Sequence, residues 1–358
     1  MSTNNSSNNL FHTVLACVTG ASGFVGAAVA LEFLRRGHSV RLPLRKQEQA
    51  DDWLAKYGKE YEGKIQTIVL EKEMSEDGAF DKAVEGCEVV VHTASPATFD
   101  IEVSPEEDIL KPALRGTLSL LESAKRASSV KSVVITSSIA AHISLEELVR
   151  AQKKLTATSW NNFAYEEAAK MPHDQGGAVY FASKGAAEKA AWDFMRQPGV
   201  HFSLATCAPA TVLGHNSAPD LKSLKDARST FGMTLEALWD KKELPPAGPL
   251  ALWVSVDDVA RAHVSAALNP SVANGQRYLL ISATTNFEEI TRIMLTHQPE
   301  LKAHLPPVPE KETMEKSKIQ YEAGEAEKDL GFEYESLNTF VGAFAKQVYD
   351  LAKADGVL

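Results

Sequence analysis

The sequence predicts an α/β fold in which a doubly wound parallel sheet is followed by a smaller C-terminal lobe. Short apolar runs alternate with helical patterns through the first 209 residues, and a glycine-rich turn joins the first apolar run to the first helix. After Pro209 this alternation weakens. Repeated strand, helix and strand segments require parallel strands with crossover helices on both faces of the sheet.

The individual elements follow from the spacing of apolar residues. Strands are predicted at residues 14–19, 40–44, 65–70, 89–94, 132–137 and 202–207. The first helix has an apolar stripe of Val25, Ala28, Val29 and Phe33, and Gly37 ends it after two arginines. Longer helices are predicted at residues 109–126 and 180–196.

The composition is that of an ordinary globular protein with a net negative charge. Its 358 residues include 37 Lys and Arg and 47 Asp and Glu, so the net charge of −10 opposes binding to nucleic acid or an anionic membrane. No apolar run approaches the roughly 18 residues of a membrane span, and the N-terminus lacks a signal-peptide pattern. We therefore expect a cytoplasmic protein. We expect it to be a monomer or a homodimer.

The three cysteines point to neither a metal centre nor a disulfide framework. Cys17, Cys87 and Cys207 lack metal-ligand spacing, and each lies in or next to a predicted strand. We expect buried, reduced thiols and no metal site.

A glycine-rich turn follows the first strand and opens the first helix. Its spacing is G-x-x-G-x-x-G: Gly20 permits the turn, Gly23 allows a pyrophosphate to approach, and Gly26 allows close helix packing. The helix N-terminus offers N–H groups and partial positive charge to phosphates. The turn in this context predicts a dinucleotide-binding Rossmann domain. The expected contact residues are Thr19, Gly20, Ser22, Gly23, Phe24, Val25 and Gly26.

The domain division follows from this turn and from the loss of alternation. Residues 1–10 are rich in Asn and Ser and are expected to be disordered. Residues 11–209 and about 254–282 are predicted to form the Rossmann domain, with 143–178 as an insertion. About 210–253 and 283–358 are predicted to form the substrate-binding lobe, in which residues 301–330 are highly charged.

The second strand indicates which dinucleotide is bound. A carboxylate at its end would bind the ribose diol of NAD, and this chain has none there. Arg41 and Arg45 occupy the region instead, and a guanidinium forms charge-assisted hydrogen bonds with a phosphate. The sequence therefore predicts NADPH/NADP+ as the cofactor, with both arginines at the 2′-phosphate.

Tyr180 and Lys184 form the candidate catalytic pair. Their i, i+4 spacing places both on one face of a helix. An ammonium near the phenol is expected to lower the tyrosine pKa and to allow proton exchange with a carbonyl oxygen. A serine at the end of the fifth strand, Ser137 or Ser138, would donate a hydrogen bond to that oxygen.

Several stretches resemble the extended short-chain dehydrogenases/reductases, and within them the dihydroflavonol-reductase-like aldehyde and ketone reductases. The matching stretches are H-T-A-S-P at 92–96, K-P-A-L-R-G-T at 111–117, S-W-N at 159–161, A-P-A-T-V-L-G at 208–214, V-S-V-D-D-V-A-R-A-H at 254–263 and K-D-L-G-F at 328–332. Ala157 and Thr158 replace the acidic pair that usually precedes the tryptophan. The resemblance covers roughly residues 12–350.

The resemblance implies roles for further residues. Ser138 matches the position of the catalytic serine in relatives that read T-S-S, and Ser137 is the alternative. Glu73 and Met74 correspond to the adenine contact, where the family commonly has Asp in place of Glu. Contacts with the nicotinamide half of the cofactor are implied for Thr93, Ala94, Ser95, Thr136, Tyr180, Lys184, Pro209, Thr211 and Val212.

The function implied is NADPH-dependent reduction of aldehydes or ketones, including keto esters, to alcohols. Ser95, Phe99, Phe231 and Trp239 are candidates for the substrate pocket, although the three aromatic residues suit core or lobe packing equally well. The alternatives are a sugar-nucleotide epimerase or dehydratase, a hydroxysteroid dehydrogenase, and a non-catalytic dinucleotide sensor. The epimerase requires a carboxylate after the second strand, and the sensor commonly lacks the Tyr and Lys.

Overall fold

A seven-stranded parallel sheet forms the centre of the molecule in the computed structural model, which describes residues 12–95, 99–151, 153–246 and 251–358. In chain order its strands are β1 (Leu15–Thr19), β2 (Ser39–Leu44), β3 (Ile65–Val69), β4 (Val89–His92), β5 (Ser132–Thr136), β6 (Ser203–Pro209) and β9 (Arg277–Leu280). Their order in the sheet is β3-β2-β1-β4-β5-β6-β9. The order reverses between β1 and β4, which is where ligands bind in doubly wound sheets. The predicted α/β fold is confirmed.

A second, three-stranded sheet has the order β10-β8-β7. Its strands are β7 (Thr211–Leu213), β8 (Leu252–Ser255) and β10 (Ala283–Thr284). All three lie after Pro209, where the sequence pattern weakens, and they are too short to show a clear period of two. The predicted disorder of residues 1–10 lies outside the described residues.

Within the described residues, α-helices lie on both faces of the large sheet and also in the insertion and the C-terminal part of the chain. They are α1 (Phe24–Arg35), α2 (Gln47–Tyr57), α3 (Asp81–Val84), α4 (Lys111–Arg126), α5 (Leu145–Arg150), α6 (Tyr165–Ala168), α7 (Gly176–Phe194), α8 (Ser229–Leu238), α9 (Val256–Leu268), α10 (Pro270–Ala273), α11 (Phe287–His297), α12 (Gly324–Leu330) and α13 (Leu337–Ala354). Helix α1 packs against α9, and α4 packs against α7. No helix in the described part of the chain has both the length and the apolar character of a membrane span.

The strands supply alternate residues to two separate apolar cores. In β1, Ala16 and Val18 face the core that contains α1 and α9, while Cys17 faces the core beneath α3 and α4. In β5, Val134 and Val133 divide between the two cores in the same way. This is the period-two pattern of strands that are buried on both faces.

The insertion is anchored by the C-terminal lobe. Leu155 forms an isolated parallel bridge with Tyr321, through hydrogen bonds of 2.9 Å to Gln320 O and 2.8 Å from Glu322 N. Ser144 begins α5 with a capping box that includes Glu147. The insertion is thus tied to the charged 301–330 segment, a contact that no local pattern indicates.

Candidate active site

The glycine-rich turn has the geometry of a dinucleotide-binding turn. Gly20 has a φ of 71°, a left-handed conformation that disfavours other residues. Gly23 N donates to Gly20 O at 2.9 Å, and the Trp53 indole donates to Ala21 O at 3.1 Å. These bonds fix the turn between β1 and α1.

The three glycines meet different surroundings. A Cβ on Gly26 would lie 2.2 Å from Gly20 O, and a Cβ on Gly20 would lie 2.6 Å from Thr93 Oγ1. A Cβ on Gly23 would meet only Gly20 O, at 3.4 Å. Gly23 precedes α1 without a capping side chain, and the first turn of α1 has no acidic residue. The start of α1, with Gly23 exposed and no side chain capping the helix, therefore fits a phosphate group.

The ends of β1 and β4 are tied together beside this turn. Thr19 Oγ1 lies 2.8 Å from His92 Nδ1 and accepts a hydrogen bond from Ala94 N at 3.2 Å. Thr93 Oγ1 donates to Thr19 O at 2.6 Å. Burial lowers the pKa of His92 to about 3, with a smaller contribution from the charge of Lys184, so the imidazole is neutral. The Thr19 and Thr93 hydroxyls are thus engaged within the protein.

Of the two arginines, the structure places only Arg45 at the end of β2. Arg41 lies in mid-strand, about 10 Å before that end at ~3.3 Å per residue. Its guanidinium donates to Gln66 Oε1 at 2.9 Å and to the carbonyls of Ala83 and Glu85. The prediction that Arg41 meets a 2′-phosphate is therefore wrong, because its side chain joins β2 to β3 and the end of α3. Arg45 follows β2 and is exposed.

The expected adenine contacts follow β3. Glu73 is exposed, and its N–H donates to Glu76 Oε1 at 2.9 Å. Met74 packs against the core beneath α3 and α4. Their contact with adenine stays a prediction.

Ser138, Tyr180 and Lys184 lie together. Tyr180 and Lys184 are on α7, and Lys184 Nζ lies 5.6 Å from the centre of the Tyr180 ring. Ser138 follows β5 and hydrogen-bonds Tyr180, while its Oγ accepts from Ala140 N at 3.2 Å. Ser137 points elsewhere and donates to Glu188 Oε2 at 2.5 Å. The structure therefore brings Ser138, and not Ser137, to the tyrosine.

The tyrosine pKa differs from the expectation. Burial raises the pKa of Tyr180 to about 12, and the hydrogen bond with Ser138 offsets this only in part. Burial also lowers the pKa of Lys184 to about 8, against the opposing charge of Glu188. Desolvation thus dominates the tyrosine pKa in the protein alone, and the phenol is protonated at neutral pH.

The remaining predicted nicotinamide contacts are at the ends of β5 and β6. The Thr136 hydroxyl lies 2.7 Å from His263 Nε2, so it is engaged within the protein. Pro209 ends β6 and is followed by Thr211 and Val212 in β7. Ser95 and Ala94 line a cavity that also reaches Lys184. The cavity therefore extends from the end of β4 to Lys184 on α7.

Asn161, which the sequence shows only as part of the S-W-N stretch, joins the segments that carry Ser138 and Tyr180. Its Nδ2 donates to Ala140 O at 3.0 Å and to Phe181 O at 3.1 Å. Its N–H donates to Ala141 O at 2.8 Å. Asn161 therefore holds the segment after Ser138 against the helix that carries Tyr180.

The candidate substrate residues separate into different environments. Phe99 packs edge-on against Tyr180, with ring centres 5.2 Å apart, and is 38% exposed. Phe231 is fully buried between Phe24 and Phe344, so its assignment to the pocket is corrected to a core position. Trp239 lines a groove along α8 and stacks on His304 at 4.6 Å.

We expect Phe231→Ala to lower stability by about 3–5 kcal/mol, the range for large core truncations. The reason is the cavity left between Phe24 and Phe344. Thermal or urea unfolding measures the loss, and Phe99→Ala is the matched control because that ring is partly exposed. Equal unfolding midpoints for the two variants would show that Phe231 is not a core residue.

Comparisons with known proteins agree with this geometry. Residues 16–280 match the sequence profile described as the NAD dependent epimerase/dehydratase family. A ketoreductase of Aspergillus niger is 32% identical over 331 residues, which cover 91% of this chain and 94% of that protein. The NADPH complex of Gre2 from Candida albicans has a TM-score of 0.82 at 27% identity, covering 94% of this chain and 99% of that one. The yeast methylglyoxal/isovaleraldehyde reductase Gre2, complexed with NADPH, has a TM-score of 0.81 at 27% identity and covers 96% and 100%.

The profile covers most of the chain, and the ketoreductase is similar over nearly its whole length. The chain therefore belongs to the NAD dependent epimerase/dehydratase family, within the extended short-chain dehydrogenases/reductases.

Proposed function

We propose that the protein is an NADPH-dependent reductase that converts aldehydes or ketones to alcohols. The observation that carries the proposal is the meeting of Ser138, Tyr180 and Lys184 in a chain whose glycine turn fits a dinucleotide. Reductases among its relatives support the choice of reaction.

The chain's own groups supply the proton and stabilise the developing charge. When bound, NADPH supplies a hydride to the carbonyl carbon. The Tyr180 hydroxyl donates a proton to the carbonyl oxygen, and its raised pKa keeps that proton in place at neutral pH. The Ser138 hydroxyl donates a hydrogen bond to the same oxygen. The Lys184 ammonium stabilises the phenolate that remains.

The glycine-rich turn before α1 and the end of β2 support NADPH as the cofactor. The uncapped start of α1 would hold the pyrophosphate, and Arg45 would bind the 2′-phosphate. At the end of β2, Leu44 is followed by Arg45 and Lys46, so no carboxylate is placed there to accept the hydrogen bonds of an NAD ribose or to repel that phosphate. The two Gre2 structures with NADPH support the same cofactor.

We expect Arg45→Ala to lower kcat/KM for NADPH by about 10- to 100-fold and to leave NADH kinetics unchanged. A charge-assisted contact with phosphate contributes roughly 1.5–3 kcal/mol, and exposure reduces it through screening. Initial rates with both cofactors at low and high salt measure the effect. The matched control is Arg41→Ala, which should reduce stability without changing the preference for NADPH over NADH. A preference that disappears in Arg41→Ala and persists in Arg45→Ala would contradict the assignment.

The substrate is proposed to bind against Phe99. Its partly exposed ring is next to the Tyr180 ring, so an apolar group attached to the carbonyl would pack there.

The small sheet of β7, β8 and β10 supports the proposed lobe at 210–253 and 283–358. Its strand β8 ends at Ser255, two residues into the segment assigned to the Rossmann domain.

The direct test of the proposed function is NADPH oxidation with a panel of aldehydes, aryl ketones and α- and β-keto esters. Formation of the matching alcohol, in equal amount to the NADPH consumed, supports reduction. Steroids and dihydroflavonols in the same panel test the neighbouring reductase classes.

A further inference from the structure

We infer that Glu188 is a positioning residue of the active site: together with Arg277 it fixes the serine segment against α7 and compensates the charge of Lys184. The inference rests on the proposed function of Ser138, Tyr180 and Lys184. Glu188 follows Lys184 by four residues and Tyr180 by eight, so the three side chains lie along one face of α7.

The Glu188 carboxylate is buried and accepts four hydrogen bonds. It is 2% exposed. Its Oε2 accepts from the Ser137 hydroxyl at 2.5 Å, and its Oε1 accepts from Thr206 Oγ1 at 2.9 Å. The other two donors are Arg277 Nε at 2.6 Å and Trp192 Nε1 at 3.2 Å. One carboxylate therefore joins α7 to the end of β5, the middle of β6 and the start of β9.

The bond with Ser137 acts directly on the catalytic segment. Ser137 immediately precedes Ser138, and its N–H donates to Cys207 O at 2.7 Å. With both its backbone and its hydroxyl held, Ser137 fixes the chain direction at which Ser138 leaves β5. Adjacent residues of an extended chain point to opposite sides, so Ser138 is turned toward Tyr180.

Arg277 extends this network into the insertion. Its guanidinium stacks on the Trp160 ring, 3.6 Å from the ring centre. Its Nη1 donates to the carbonyls of Ala157 and Ser159, both at 2.7 Å. The ion pair is nearly inaccessible, with the side chains 10% and 1% exposed. A buried pair of this kind is costly to break on one side.

The charges around Lys184 show why a carboxylate is needed. Tyr180 on α7 and His92 on β4 face the Lys184 ammonium, and both are neutral at pH 7. Beyond Glu188 lie Arg277, which is cationic, and His142, whose pKa is lowered to about 4, chiefly by burial. Glu188 also faces the neutral thiol of Cys207, whose pKa is raised by burial. Among these groups Glu188 supplies the negative charge.

The sign of the pH effect follows from these contacts. Lys184 has a pKa of about 8 even though Glu188 raises it. The ammonium is present below that pH and is lost as pH rises through it, so the rate of reduction falls on the alkaline side. Without the negative charge of Glu188, the lysine loses its proton at lower pH.

The experiment compares Glu188→Gln and Ser137→Ala with Glu315→Gln as a surface control. Glu315 pairs with Lys318, and both side chains are 82% exposed. For Glu188→Gln we expect the alkaline limb of kcat to move down by about one pH unit, the scale of losing an adjacent opposite charge. The KM for NADPH should stay within about twofold. For Ser137→Ala we expect a lower kcat with the alkaline limb unmoved, and the control should match the wild type.

The outcomes separate positioning from a merely structural role. A folded Glu188→Gln enzyme with the wild-type pH profile would overturn the inference. If Glu188→Gln does not fold, Ser137→Ala decides: a reduced kcat with an unchanged KM for NADPH supports the inference, and a wild-type kcat overturns it.

A second readout does not depend on turnover. If the wild-type protein reduces no carbonyl, the proposed function fails, and the indole N–H signal of Trp192 in NMR spectra still tests the Glu188 network. Because Trp192 donates to Glu188, this signal should shift as Lys184 titrates and should change position in Glu188→Gln. A signal that is insensitive to both would overturn the inference.

Discussion

Tyr180→Phe is expected to lower kcat by about 10²–10⁴-fold, the usual contribution of a positioned general acid. The substitution removes only the hydroxyl, and the ring that packs on Phe99 remains. The proton that Tyr180 holds at neutral pH is the one that the alkoxide product needs. Steady-state rates measure the loss, and quenching of protein fluorescence by NADPH measures cofactor binding.

The control for this prediction is cofactor affinity. We expect the Kd for NADPH to stay nearly unchanged, because the proposed phosphate contacts are at the start of α1 and at Arg45. A Tyr180→Phe enzyme that keeps more than a tenth of the wild-type kcat would remove Tyr180 from the proton-donor role.

Ser138→Ala is expected to lower kcat by about 10²–10³-fold, the scale of losing one hydrogen bond to a developing oxyanion. The lost donor is the one that lies next to Tyr180. Ser137→Ala is the internal comparison, since that hydroxyl bonds Glu188 and acts only through position. A larger loss of kcat in Ser137→Ala than in Ser138→Ala would reverse the assignment of the catalytic serine.

Six of the seven strands of the central sheet were predictable because each carries its own local signal. Continuous apolar runs predicted β1 to β6 to within two residues, and the glycine turn predicted the start of α1. The seventh strand, β9, was covered only by the prediction that residues of about 254–282 return to the Rossmann domain. The proximity of Tyr180 and Lys184 was predictable for a similar reason, since their i, i+4 spacing is local to one helix.

The side chains whose roles depend on distant partners were not predictable. Arg41 and Arg45 are four residues apart, so on an extended strand both side chains would point to the same side. Only the observed end of β2 distinguishes Arg41, which bonds Gln66, from Arg45, which is exposed. Phe231 has the helical spacing of either a core or a pocket residue. Its position between Phe24 and Phe344 depends on segments more than a hundred residues away in each direction.

Glu188 illustrates the same limit in the active site. Its position one turn after Lys184 was readable from the sequence. Its partners Ser137, Thr206 and Arg277 lie in or next to three different strands, so no local pattern connects them. A buried carboxylate on a catalytic helix is recognisable as such only when the strands are in place.

The most direct test of the central claim is the kcat/KM of the wild-type protein for NADPH and for NADH with the same carbonyl substrate. We predict carbonyl-dependent oxidation of NADPH, with a kcat/KM at least about tenfold above that for NADH, which corresponds to about 1.4 kcal/mol. Equal values for the two cofactors would contradict the role of Arg45. No carbonyl-dependent oxidation, with turnover of a sugar nucleotide on tightly held NAD, would contradict the reductase assignment itself.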